Sequence, residues 1–181
     1  MQPHSSQFHS PDTSLDGVAR KVDDMIRKAQ IPVGFDGPRV TCEDLRRLVD
    51  LRLKEAHALA DAGCPCGAYY LAGYAAELAL KVRIAETVKR CEFPNAKLAN
   101  ASCRHNLRQL IDTAGLTTEF KRDLLTNDPL RSNWHKALQW SESSRYDDAI
   151  SMPDASRLID AIEAPVDGVL NWIKQYWSGL Q

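Results

Sequence analysis

The stretch Gly67-Ala-Tyr-Tyr-Leu-Ala-Gly-Tyr-Ala-Ala-Glu-Leu-Ala-Leu-Lys81 decides how this chain folds. It is rich in alanine and leucine, holds no proline and keeps the same character to Arg90, so residues 68–90 read as one helix of roughly six turns. Within it Tyr70, Tyr74, Glu77 and Lys81 follow at spacings of four, three and four, which puts them on one helical face. Polar groups on so apolar a rod must find partners inside the protein.

Upstream, Thr41 reads as the N-cap of an amphipathic helix whose stripe is Leu45, Leu48, Val49, Ala56, Leu59 and Ala60, and which ends near Gly63. Arg52 falls inside that stripe. Two readings stand for it: a stem on the core edge with its guanidinium in water, or a buried ion pair. Further upstream, Leu15, Val18, Val22, Met25 and Ile26 recur at helical spacing behind Ser14. Two prolines and two glycines between Ile31 and Pro38 then force a connector. Residues 1–14 carry no apolar run that would make a signal-peptide core. The expected organisation is a flexible start over 1–13, a helix and connector over 14–40, and a main bundle over 41–178.

Downstream, a loop at Phe93-Pro94-Asn95 precedes short helices expected from Asn106 to Ala114, closing at Gly115, and from Thr117 to about Asn127. Asp128-Pro129 reads as the next start, carboxylate at the cap and proline at the first helical position. Ser151 and Pro153 open the final element, whose stripe runs through Leu158, Ile159, Ile162, Val166, Val169, Leu170, Ile173 and Trp177, with a kink expected at Pro165. No segment alternates at period two and no hairpin turn joins two β-branched runs. The expected fold is all-α, an antiparallel up-and-down bundle of four or five main helices with an N-terminal helical appendage.

Composition narrows the function classes. Of 181 residues, 44% are hydrophobic and 26% charged, which suits a single globular core and excludes wholesale disorder. A net charge of −1 excludes a protein coated in basic residues. Charge is nevertheless segregated: seven basic residues face two acidic ones between Lys81 and Arg108, whereas residues 141–181 hold three basic and seven acidic. That polarity suits a phosphate-bearing ligand at the basic end, opposite faces of a homodimer, or plain solvated surface. The most apolar segment, from Tyr69 to Ile84, is interrupted by Glu77, Lys81 and Arg83, so no membrane span is expected. Five cysteines are an odd number and suit free thiols in a cytoplasmic protein. Cys64-Pro65-Cys66 lacks the second half of a zinc site, and no metal or cofactor is expected.

The central helix resembles the HEPN domain (higher eukaryotes and prokaryotes nucleotide-binding), in which a tyrosine-rich GYA-x-E-x-x-LK helix follows an amphipathic one. His105-Asn-Leu-Arg-Gln-Leu110 and Trp140-Ser-Glu-Ser-Ser-Arg-Tyr146 follow in the expected order, and the resemblance covers about residues 41–178. It implies a homodimeric helical bundle that binds RNA or a nucleotide, in a toxin-antitoxin or defence setting, with a small nucleotidyltransferase as partner. On that resemblance Tyr70, Tyr74, Glu77, Lys81, Arg104, His105, Arg145 and Tyr146 are the candidate ligand-binding residues; the alternative for the first three is to knit the bundle, and for Arg145 and Tyr146 to anchor a loop.

Some members of that family are metal-independent endoribonucleases marked by an arginine and, after four to six intervening residues, a histidine. Such cleavage needs proton transfer at the 2′-OH and positive charge on the phosphorane, which a histidine and a guanidinium supply. Arg131-Ser-Asn-Trp-His135 is the candidate catalytic pair, one residue short of the family spacing but with both side chains on one helical face. Arg52 and His57 have the spacing in the wrong helix, about 140° apart. A noncatalytic scaffold that recognises another protein is the third reading. Trp134, Trp140, Trp172 and Trp177 are expected in the core or at a dimer contact.

Overall fold

The computed structural model describes residues 40–90 and 103–178. The expected N-terminal helix, its connector and the loop around Pro94 lie outside the described residues. The chain divides into two units, Met1–Arg39 and Val40–Gln181, and every described residue belongs to the second.

Helix α1, Cys42–Asp61, starts where the sequence places it. Thr41 Oγ1 accepts from the Asp44 N–H at 3.1 Å while Asp44 Oδ2 accepts from the Thr41 N–H at 2.9 Å, a reciprocal capping box. Val49, Leu53 and Ala56 are buried on its inner face. Arg52 falls between its two readings: one-quarter of its side chain is exposed, and Nη1 meets Glu55 Oε2 at 2.6 Å. At the other end Gly63 takes φ +73°, which a side chain would resist, and the Cys64 N–H returns to the Leu59 carbonyl at 2.8 Å. That turn launches α2, Pro65–Arg90.

Helix α2 is the axis of the fold. Ala68, Ala72, Ala75, Ala76, Leu78, Ala79, Leu80, Val82 and Ile84 are all at most 3% exposed. Such a run covers every side of the helix, which only a rod surrounded by neighbours can sustain. Its alanines keep the surface low enough for α1 and for the later segments 107–113, 142–146, 152–163 and 169–174 to pack against it.

Short helices wrap that axis. Helix α3, Leu107–Thr113, is capped by Asn106, whose side chain accepts from the Gln109 N–H at 3.2 Å; it closes at Gly115, φ +72°. Helix α4 spans Thr117–Thr126 and α5 Asp128–Ala137. The cap of α5 lies one residue earlier than the sequence suggests: Asn127 Oδ1 accepts from the Leu130 N–H at 2.9 Å. Asp128 and Pro129 thus become the first two helical residues, where a carboxylate complements the helix dipole and proline loses no bond. A 3₁₀ turn, Glu142–Tyr146, leads to α6, Met152–Glu163, which begins with a second capping box between Ser151 and Asp154.

The last element is broken rather than kinked at Pro165. Ala164 is forced into extended backbone, φ −46° and ψ 130°, as expected for a residue preceding proline, and α6 ends at Glu163. Asn171 Nδ2 takes up the freed carbonyls of Ala164 and Pro165 at 3.1 and 2.6 Å. Helix α7, Val169–Lys174, then restarts from Gly168, whose Cβ would lie 2.3 Å from the Ala164 carbonyl oxygen. The described residues therefore form an all-α bundle of seven helices, with no strand among them. All four tryptophans are buried, Trp134 completely.

Candidate functional site

The face predicted on α2 exists, and it is a polar network seeded by one carboxylate. Glu77 is fully buried. Its Oε1 receives Lys81 Nζ at 2.9 Å from one turn further along α2, and His105 Nδ1 at 3.0 Å from the segment that enters α3. Glu77 Oε2 has no hydrogen-bond partner among the described residues. A buried carboxylate costs several kcal/mol unless it is paired, so Lys81 and His105 are what make Glu77 tolerable there.

His105 carries the network outward. Its Nε2 lies 3.5 Å from Glu142 Oε2 in the 3₁₀ turn, and its side chain is 43% exposed. The ring thus lies between two carboxylates, one at each nitrogen. Glu142 in turn accepts from Arg145 Nη1 at 2.7 Å. The phenols of Tyr146 and Tyr70, with Glu142, hold the Arg145 guanidinium above its ordinary basicity. The guanidinium lies over the Tyr146 ring, 4.8 Å from its centroid, and that ring is 78% exposed.

The 3₁₀ turn is held in place by Trp140. The Trp140 ring sits against Gly73, where an added Cβ would fall 2.2 Å from Cγ, and its Nε1–H donates to the Tyr70 carbonyl at 3.2 Å. Glycine in a helix interior costs about 1 kcal/mol relative to alanine. Here it makes room for the indole that positions the turn. Tyr70 stacks on Tyr74 at 6.0 Å between centroids and touches Trp140 at 6.2 Å, so the two tyrosines brace the same corner.

Seven of the eight predicted ligand-binding residues, Tyr70, Tyr74, Glu77, Lys81, His105, Arg145 and Tyr146, thus meet around one corner. Arg104 is exposed beside them in sequence, and with Arg108 it lines an open depression of about 360 Å³. Glu142, which joins His105 to Arg145, was not singled out; its spacing of three from Arg145 was the available signal.

Arg131 and His135 lie elsewhere, exposed on α5. Arg131 Nη2 pairs with Asp128 Oδ1 at 2.6 Å and Nη1 donates to the Leu124 carbonyl at 3.2 Å, so its fork is engaged by its own neighbourhood. Neither residue lines the depression at Arg104 or the cleft described next.

That cleft, about 410 Å³, opens on the other side of the 3₁₀ turn, between the end of α5 and the start of α6. Its lining includes Tyr69, Lys136, Ser143, Ser144, Asp147 and Arg157. Burial, with Asp154 and Asp147 nearby, keeps the Tyr69 phenol protonated beyond its ordinary range. No linear motif announces this cleft, which forms where the run from Lys136 to Leu158 folds against Tyr69 of α2. Among the described residues, no group of three or more His, Cys, Asp or Glu side chains is placed to hold a metal ion. No described helix is long and apolar enough to cross a membrane.

No family model, no curated protein and no solved structure matches this chain.

Proposed function

We propose that this protein is a HEPN-like RNA-binding domain whose contact surface is the corner formed by Lys81, Arg104, His105, Arg145 and Tyr146. The observation that carries the reading is the Tyr146 ring, 78% exposed and backed by the Arg145 guanidinium, beside a half-exposed histidine. An exposed aromatic stacks an unpaired base, while neighbouring cations track the phosphate backbone. Glu77 supports this from below by fixing Lys81 and His105. The tyrosine-rich α2 motif, read as a resemblance, points the same way and adds a cytoplasmic homodimer with a nucleotidyltransferase partner.

Binding is favoured over cleavage because Arg131 is tied to Asp128 and to the Leu124 carbonyl, away from this corner. Fluorescence anisotropy with a labelled single-stranded RNA, at low and raised ionic strength, tests the reading. Tyr146→Ala should weaken binding by about 1–3 kcal/mol, the usual worth of one stacked base. Arg145→Gln should reduce the salt dependence by about one phosphate contact. RNA retention that neither change alters would defeat the proposal. Metal-free cleavage abolished by His135→Ala would replace it with the endoribonuclease reading.

A further inference from the structure

We infer that the cleft between α5 and α6 is a second ligand site, built for a phosphorylated pentose: a small polyol carrying one phosphate. It shares the 3₁₀ turn with the RNA corner but does not rest on the RNA reading.

Its charges divide into spent and unspent. Asp154 is spent: its Oδ2 accepts from the Ser151 N–H at 3.2 Å and from the Ser151 hydroxyl, while its Oδ1 accepts from Arg157. These bonds, led by the serine hydroxyl, hold its carboxyl below the ordinary range. Lys136 is unspent, its one polar contact among the described residues being Asn133 Oδ1 at 3.4 Å. Asp147 uses Oδ1 to accept from the Ala149 N–H at 2.9 Å, and its other oxygen has no partner among the described residues. The cleft therefore presents one ammonium, the remaining donors of Arg157, serine hydroxyls and a neutral phenol, opposed by one carboxylate oxygen.

That donor and acceptor set selects among ligand classes. Ammonium, guanidinium and hydroxyl donors together suit the three oxygens of a phosphate. An uncommitted carboxylate oxygen accepts from sugar hydroxyls, and the half-buried Tyr69 ring offers a face for the sugar's C–H groups. A dianionic ligand without hydroxyls would leave Asp147 facing like charge. The volume lies at the small end of ligand pockets, roughly 300–1,000 Å³, which fits a sugar phosphate.

Isothermal titration calorimetry with the full chain tests this, using ribose 5-phosphate, ribose, inorganic phosphate and adenosine 5′-monophosphate as probes. Ribose 5-phosphate should bind, with ribose and inorganic phosphate each at least about tenfold weaker, since each lacks one charged or hydrogen-bonded half. Lys136→Met, at a half-buried position, and Asp147→Asn, at an exposed one, should each weaken it by roughly tenfold, and Tyr146→Ala should leave it unchanged. A stronger response to the monophosphate identifies the natural source as a nucleotide, and a weaker one identifies a free sugar phosphate. No heat from ribose 5-phosphate, equal binding of inorganic phosphate, or indifference to both cleft substitutions would overturn the inference. Loss of RNA binding alone in Tyr146→Ala separates failure of one site from failure of the other.

Discussion

Helix α2 carries two buried carboxylates, Glu77 and Glu86, nine residues and about 180° apart on the rod, and they have opposite characters. Glu86 is closed. Its Oε1 takes Arg46 Nη2 at 2.5 Å and its Oε2 takes the Ser178 N–H at 2.9 Å, while the same guanidinium nitrogen donates to the Ser178 carbonyl at 2.8 Å. Trp177 completes that end, buried beneath Arg46 and bonded to the Ala79 carbonyl at 3.1 Å. Glu77 is open, with one oxygen shared by Lys81 and His105 and the other unpartnered among the described residues. One carboxylate fastens the turn at Ser178 to α1 and α2. The other holds a half-exposed histidine at the surface.

The difference can be broken by matched substitutions. Glu86→Gln should have the largest effect, about 3 kcal/mol of stability lost in a denaturant melt, because an amide cannot replace the charge facing Arg46 while accepting at both positions. RNA affinity should stay unchanged. Equal loss of RNA binding in this variant would erase the distinction between the two ends.

Gly73→Ala comes next, one turn before Glu77. Displacing the Trp140 ring should cost about 1–3 kcal/mol, partly offset by roughly 1 kcal/mol of helix propensity. Tryptophan fluorescence should shift and RNA binding should weaken, since the 3₁₀ turn moves with Trp140. Unchanged fluorescence would show that the ring does not position the turn.

Glu77→Gln should be milder still, within about 1 kcal/mol of the parent, because relieving a half-satisfied buried charge offsets the lost bonds to Lys81 and His105. Its mark should instead be a changed salt dependence of RNA binding. A stability loss matching that of Glu86→Gln would make Glu77 a second fastening.

The smallest effect concerns carboxylates outside both clusters. The Thr41 hydroxyl, aided by the Thr41 N–H and Arg47, holds Asp44 below its ordinary value; the Ser151 hydroxyl, with the Ser151 N–H and Arg157, does the same for Asp154. Each binds its proton less firmly folded than unfolded. The stability they add is therefore present above about pH 4 and is lost as pH falls through their lowered values. Asp44→Asn should therefore lower thermal stability slightly above about pH 4 and converge on the parent as pH falls, flattening the acid limb of the profile.

How much of this was legible varies by element. Thr41, Asn106, Ser151, Gly63 and Gly115 mark their helix ends because caps are local: a side chain or a left-handed glycine acts within a few residues of itself. The Tyr70–Lys81 face was readable from spacing for the same reason. Asn127 took the cap expected of Asp128, since adjacent Asx residues compete for it and only the packed geometry chooses. Pro165 looked like a kink in one long helix, yet Gly168 and Asn171 settle a complete break through contacts that no apolar stripe records.

By itself, then, the sequence determined an all-helical chain, its axis at residues 68–90 and the polar face along that axis, because helical period and capping are properties of neighbouring residues. Tertiary structure alone decided that Glu142 would bridge His105 to Arg145, that Glu86 would close while Glu77 stayed open, and that the run from Lys136 to Leu158 would fold over Tyr69 to make a cleft. Those outcomes join residues tens of positions apart, and their energies exist only once α2 has gathered its neighbours around it.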